Sequence, residues 1–166
     1  MRIYTDASTR GNISGVAFVV TDARDKEIYK AGIVIDQPDN NTAELCAVLI
    51  ALENVQYVEN KHVTIFTDSQ YVINAMRTGS CRQIEKPIVQ KIKKLMDKVN
   101  SSLMWIKGHY RNGTAPSYFN KRADKMAKVV RKQYEKQIKA EKKALMQKIR
   151  KEKLSTHLID YKGRYL

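Results

Sequence analysis

Three runs rich in β-branched and aromatic residues, 2–6, 15–21 and 27–36, follow one another with only the turn signals Arg10-Gly11-Asn12 and Thr21-Asp22-Ala23 between them. They read as a three-stranded antiparallel meander in which the first strand becomes a central strand. The period then changes. From Thr42 to about Gln56, Leu45, Val48, Leu49 and Leu52 fall at helical spacing, with Asn41 or Thr42 suited to cap the start. A short apolar strand at 62–67 precedes a helix at 69–76 that Thr78-Gly79-Ser80 stops. A helix from Pro87 to about Val99 carries Ile88, Ile92, Leu95, Met96 and Val99 on one face, and 103–107 returns to a strand. A meander followed by alternating helices and strands predicts an α/β sandwich: a five-stranded mixed sheet flanked by helices, its later strands parallel to the first.

From about Tyr118 to Leu154 the chain has no Gly or Pro. One helix is expected there, spanning roughly 50 Å at 1.5 Å per residue. Residues 121–154 hold 14 Lys and Arg against 4 Asp and Glu, whereas residues 1–120 hold 15 against 12, so most of the excess positive charge lies on this helix. Its apolar residues Val130, Tyr134, Ile138, Leu145 and Ile149 form a narrow stripe suited to a coiled-coil seam, to packing on the core, or to a solvated helix. The expected organisation is a core domain over 1–128, a Lys-rich helical extension over 129–154 and a C-terminal tail over 155–166.

A formal net charge of +14 with pI near 9.8 favours polyanionic partners, since Lys and Arg that neutralise phosphates release condensed counterions. Charge alone does not separate a nuclease from any other basic nucleic-acid binder. Cys46 and Cys81 have neither the spacing nor the His neighbours of a zinc site or disulfide framework and read as reduced thiols. A strand beginning at Arg2 leaves no room for a signal peptide, and no apolar run approaches the ~20 residues of a membrane span. The expectation is a soluble, cytoplasmic protein without membrane contact.

Within this basic chain four acids occupy positions set by the elements around them. Asp6 and Asp68 fall at expected strand ends, in Tyr4-Thr5-Asp6-Ala7-Ser8 and Phe66-Thr67-Asp68-Ser69-Gln70-Tyr71. Glu44 lies in the first turn of the first helix, in Asn41-Thr42-Ala43-Glu44-Leu45, and Asp124 near the start of the last, in Asn120-Lys121-Arg122-Ala123-Asp124. Singly, each is an ordinary surface acid or cap, and Glu44 could be half of a capping box with Asn41. An acid at the buried end of an apolar strand is costly unless paired or coordinated, and two are present. Clustered carboxylates that hold two divalent ions about 4 Å apart are what phosphodiester hydrolysis by that route needs, and magnesium suits an all-oxygen site.

Over residues 2 to about 128 the chain resembles type 1 ribonuclease H, most specifically at Thr5-Asp6-Ala7-Ser8, Thr42-Ala43-Glu44-Leu45 and Thr67-Asp68-Ser69-Gln70-Tyr71-Val72. The resemblance implies a ribonuclease H-like fold and hydrolysis of the RNA strand of RNA:DNA hybrids, leaving 3′-hydroxyl and 5′-phosphate ends. It implies that Asp6, Glu44, Asp68 and Asp124 hold two Mg²⁺ ions, with Mn²⁺ a possible substitute and Asp6 bridging both. His109, after Lys107-Gly108, matches the family histidine that assists proton transfer or product release. Asn12, Asn41 and Gln70 match positions that contact sugars and bases in the minor groove, while Asn40 and Thr42 lie near the held phosphate of the DNA strand.

Two departures accompany the resemblance. The extra helix and basic loop common in bacterial members is absent, since Met76-Arg77-Thr78-Gly79-Ser80-Cys81-Arg82 leads directly toward Pro87, and no N-terminal hybrid-binding domain is expected. The Lys-rich helix is a candidate replacement for the missing electrostatic grip, and equally a candidate surface for self-association. Two other readings are a nuclease or resolvase of the same fold acting on DNA, and a nucleic-acid-binding protein without catalysis.

Overall fold

The computed structural model describes residues 1–57, 62–108 and 114–163, with side chains described as far as Lys153. Strands β1 (Arg2–Arg10), β2 (Ile13–Thr21) and β3 (Glu27–Asp36) form the expected meander. Helix α1 (Asn40–Val55), strand β4 (Val63–Thr67), helices α2 (Gln70–Thr78) and α3 (Lys86–Lys98), strand β5 (Ser101–Trp105) and helix α4 (Ala115–Gly163) follow. A single 3₁₀ turn, Gln83–Glu85, leads into α3. The sheet has five strands in the order β3-β2-β1-β4-β5, with the meander antiparallel and β1, β4 and β5 mutually parallel.

Alternation along β1 divides the core between the two faces of the sheet. Ile3 points into a cluster with Phe18, Val20, Leu45, Leu52, Ile65 and Ile92, the face covered by α1 and α3. Tyr4 points the other way, stacking on Phe66 at 5.0 Å and on Phe119 of α4 at 5.3 Å. Side chains such as Ile3, Ile65 and Leu52 are fully buried, each contributing about 1.5–3 kcal/mol. Gly15 admits α4 to this second face, since a Cβ there would overlap the Ala127 carbonyl oxygen.

Three expectations are corrected. Strand β1 does not end at Asp6 but runs to Arg10, because its outer half stays paired to β2 down to Arg10 opposite Ile13. Helix α1 is capped by Asp39, whose Oδ1 accepts from the Thr42 backbone N–H at 2.8 Å, not by Asn41 or Thr42. Helix α4 begins at Ala115, with Pro116 in its first turn where a missing N–H costs nothing, and continues to Gly163 instead of stopping at Leu154. The chain divides into two compact units, Met1–Arg131 and Lys132–Leu166. Among the described residues no helix is long and apolar enough to cross a membrane.

Candidate active site

The site sits where β4 separates from β1. The parallel ladder between them covers only Arg2 to Tyr4, with Tyr4 opposite Phe66, so two residues further on Asp6 and Asp68 lie side by side beyond the last pairing. Asp6 is still a strand residue, opposite Ala17 of β2, whereas Asp68 has already left β4. The N-terminal turns of α1 bring Glu44 over the same point. Carboxylate oxygens of Asp6, Glu44 and Asp68 all lie within 4.8 Å of one another.

Asp6 and Glu44 are 6% and 5% exposed, which places two acids in a low-dielectric setting, and Asp68 is half-buried. Burial, reinforced by the charges of Asp68 and Asp124, pushes the Asp6 carboxyl up to about 8. Burial, then the charges of Asp6 and Asp68, holds Glu44 well above the usual carboxylate range. Asp6 Oδ1 accepts the Ala7 backbone N–H at 2.7 Å, while Glu44 Oε2 is buried with no hydrogen-bond partner. Three crowded carboxylates, one with an orphaned buried oxygen, have the donor set and the charge deficit that a hard divalent cation satisfies.

The fourth acid, Asp124, stands beside this trio without being part of it. Its carboxylate forms an ion pair with Lys128 one turn along α4, at 2.6 Å and 2.8 Å to its two oxygens. His109 lies outside the described residues. Of the expected substrate contacts, Asn12 is exposed at the β1–β2 turn, Asn40 and Asn41 are exposed at the start of α1, and Gln70 is exposed at the start of α2. Thr42 is buried, and its hydroxyl donates to Glu85 Oε1 at 2.7 Å.

Several residues that position the site carry little signal in the sequence. Asn120 is buried and donates from Nδ2 to Asp68 Oδ2 at 3.1 Å; its place one helical turn before Asp124 is the available clue. Gly108 packs so closely that a Cβ would overlap Asp68 Oδ2. The Trp105 indole donates to the Asp68 backbone carbonyl at 3.1 Å.

A second polar cluster braces the start of α1. The fully buried Glu85 accepts from Thr42, from the Arg82 backbone N–H at 2.9 Å, from Arg82 Nη2 at 2.6 Å and from the Tyr71 hydroxyl. Arg82 also pairs with Asp39 at 2.6 Å and donates to the Thr42 hydroxyl. The helix that carries Glu44 is thereby tied through Tyr71 to the helix that follows Asp68.

Comparison with known proteins identifies the family and the fold. The sequence signature of the RNase H family matches residues 1–132. A protein named Ribonuclease H from Desulforamulus reducens is 28% identical over 147 residues, covering 79% of this chain and 87% of its own length. One of the same name from Francisella tularensis subsp. novicida is 30% identical over 141 residues, covering 75% and 86%. Among solved structures, RNase H1 from Halobacterium salinarum superposes with a TM-score of 0.66 at 21% identity, over 80% of this chain and 97% of that one. LC11-RNase H1, solved in complex with an RNA/DNA hybrid, superposes with a TM-score of 0.65 at 25% identity, over 77% and 94%. The carboxylate trio at the parting of two central strands, the sheet order and the signature spanning most of the chain agree: the protein belongs to the RNase H family.

Proposed function

We propose that this protein is an endoribonuclease that hydrolyses the RNA strand of RNA:DNA hybrids. The observation that carries the reading is the convergence of Asp6, Glu44 and Asp68 within 4.8 Å in a chain of net charge +14. Family membership, and a relative crystallised with an RNA/DNA hybrid, support hybrid as the polymer.

In this reading Asp6, Glu44 and Asp68, joined by Asp124, hold two Mg²⁺ ions, for which Mn²⁺ can substitute. When bound, such ions supply Lewis-acid activation of the attacking water and stabilisation of the leaving 3′ oxygen, which gives 3′-hydroxyl and 5′-phosphate ends. The chain's own residues do the rest. Asn120 and Gly108 fix the rotamer of Asp68. Asp124 adds to the negative field at Asp6, and Lys128, paired with Asp124, offsets part of it. His109 is assigned proton transfer or product release, a task suited to a group that titrates near neutrality.

Substrate selection falls to the exposed polar groups around the trio. Asn12, Asn41 and Gln70 are assigned contacts in the minor groove, where the 2′-hydroxyl distinguishes RNA from DNA. Asn40 and the Thr42 turn are assigned the neighbourhood of a DNA-strand phosphate. The free thiols of Cys46 and Cys81 suit a reducing, cytoplasmic setting.

The test is cleavage of an end-labelled hybrid beside RNA duplex, DNA duplex and single-stranded RNA, with Mg²⁺, with Mn²⁺ and with EDTA. Metal-dependent cutting of the hybrid's RNA strand alone is the expected result. Cutting of DNA duplex would move the assignment to a DNA nuclease of the same fold, and binding without cutting to a non-catalytic protein.

A further inference from the structure

The unit Lys132–Leu166 is helical as far as Gly163, and its described side chains from Lys136 to Lys153 are exposed except at Ile138. At 100° per residue, Lys132, Lys136, Lys139, Lys143 and Arg150 fall within a sector of about 60°. Glu141 and Glu152 fall on the opposite side of the same helix. From Lys132 to Arg150 the stripe extends about 27 Å, the axial rise of roughly eight nucleotides of one duplex strand. Lys142, Lys148, Lys151 and Lys153 lie outside the sector and Glu135 flanks it, but five of the nine cations from Lys132 to Lys153 share about one sixth of the circumference, which a helix merely kept soluble by lysine does not require.

The apolar residues show what this helix is not arranged to meet. Tyr134, Ile138, Leu145 and Ile149 lie about 110° to 170° from the centre of the cation stripe. Continued at alternating steps of four and three from Tyr134, the seam meets Ile138, Glu141, Leu145, Lys148 and Glu152. Charges at three of these places interrupt a coiled-coil seam, which needs sustained apolar positions. They also break the continuous apolar face by which an amphipathic helix enters a bilayer. The cation stripe skips the turn of Met146 and Gln147 between Lys143 and Arg150 but holds no acid within its sector, and its complement is a row of phosphates.

We infer that Lys132, Lys136, Lys139, Lys143 and Arg150 form a second nucleic-acid contact surface, outside the carboxylate site, that binds a phosphate backbone without reading sequence. The choice of polymer rests on the hybrid-nuclease reading; the charge complementarity does not. Tethered to the first unit by an unbroken chain, this surface raises the local concentration of polynucleotide around the site.

The experiment compares the full-length protein with two triple variants that each remove three positive charges. One, Lys136→Gln/Lys139→Gln/Lys143→Gln, lies on the stripe; the other, Lys142→Gln/Lys148→Gln/Lys151→Gln, lies off it. Binding to RNA:DNA hybrid and to DNA duplex is titrated in EDTA over a range of salt, so that no cleavage intervenes. The stripe variant is expected to make the plot of log affinity against log salt shallower by about 0.9 for each phosphate it no longer neutralises, hence by two to three units. The off-stripe variant is expected to shift it by less than one. Equal slopes for both variants, or a stripe variant indistinguishable from wild type, would overturn the inference. Loss of binding to anionic vesicles or of self-association with nucleic-acid affinity unchanged would also overturn it. A stripe effect in a protein that does not cleave hybrid would sink the nuclease reading and leave this surface standing.

Discussion

Asn120 on α4 donates a hydrogen bond from Nδ2 to Asp68 Oδ2 at 3.1 Å, across 52 positions of sequence. The bond, with the close packing of Gly108, orients a carboxylate that lies just beyond the end of β4. Partners that orient a metal ligand are worth about 10–100-fold in metal affinity or activity. Asn120→Ala is therefore expected to raise the Mg²⁺ concentration at half-maximal cleavage by about that factor. A metal titration of hybrid cleavage checks it, and an unchanged midpoint would remove Asn120 from the site.

Gly108→Ala tests steric control of the same carboxylate. The added Cβ would overlap Asp68 Oδ2, so the carboxylate must turn aside. A displacement of about 1 Å can cost on the order of 100-fold in rate. The expected signature is a kcat reduced by about that factor with Tm shifted by only a few degrees. Wild-type kcat in this variant would show that the Asp68 rotamer does not control turnover.

Metal-free stability should carry the imprint of the trio. The Asp6 carboxyl sits at about 8 in the folded protein against 3.8 ordinarily, with burial the main cause. The unfolded chain releases this proton from about 4 upward while the folded chain retains it, so the contribution favours folding at low pH and is lost as pH rises toward 8. In EDTA, Asp6→Asn should therefore gain Tm over wild type as pH is raised from 5 to 8, and added Mg²⁺ or Mn²⁺ should stabilise wild type most at the upper end. Thermal scans across that range check both; a wild-type advantage that grows with pH in EDTA would contradict the description of the site.

Glu85 titrates in the opposite sense. Burial pushes its carboxyl up, but hydrogen bonds from Arg82, Tyr71 and Thr42 outweigh this and bring it down to about 2, against an ordinary 4.5. Its stabilisation is complete above about 4.5 and is lost as pH falls toward 2. Glu85→Gln removes the charge that Arg82 faces, but Arg82 is half exposed and keeps Asp39, so the expected cost near neutral pH is about 1–2 kcal/mol. The variant should also lose Tm less steeply than wild type between pH 4.5 and 2, and parallel acid transitions for the two proteins would refute the assignment.

Much of this molecule is legible in the sequence because its signals are local. The meander, the helical spacing of Leu45, Val48, Leu49 and Leu52, and the absence of Gly and Pro from the long helix each follow from residues close together in the chain. The acids at 6 and 68 stand out because acids belong poorly at the ends of apolar strands, and Glu44 through the motif Thr42-Ala43-Glu44-Leu45. What stays hidden depends on distant pairing. Asp6 lies within β1 and not at its end because β2 stays paired after β4 has parted, a fact of register that no local pattern encodes. Glu85 reads as an ordinary residue before a helix, since its partners Thr42, Tyr71 and Arg82 meet only after α1 and α2 have packed. Asp39 does not stand out as a cap because Asn41 and Thr42 are equally competent by type, and only backbone geometry chooses among them.

The most direct test of the central claim is single-turnover cleavage of an RNA:DNA hybrid by wild type and by Asp68→Asn, with hybrid affinity measured on both. The account predicts that the variant keeps its fold and binds hybrid as wild type does, while RNA-strand cleavage falls by more than the ~100-fold expected from losing a partner of a ligand. Cleavage by Asp68→Asn at a rate comparable to wild type would contradict the assignment of the Asp6, Glu44 and Asp68 trio as the catalytic centre.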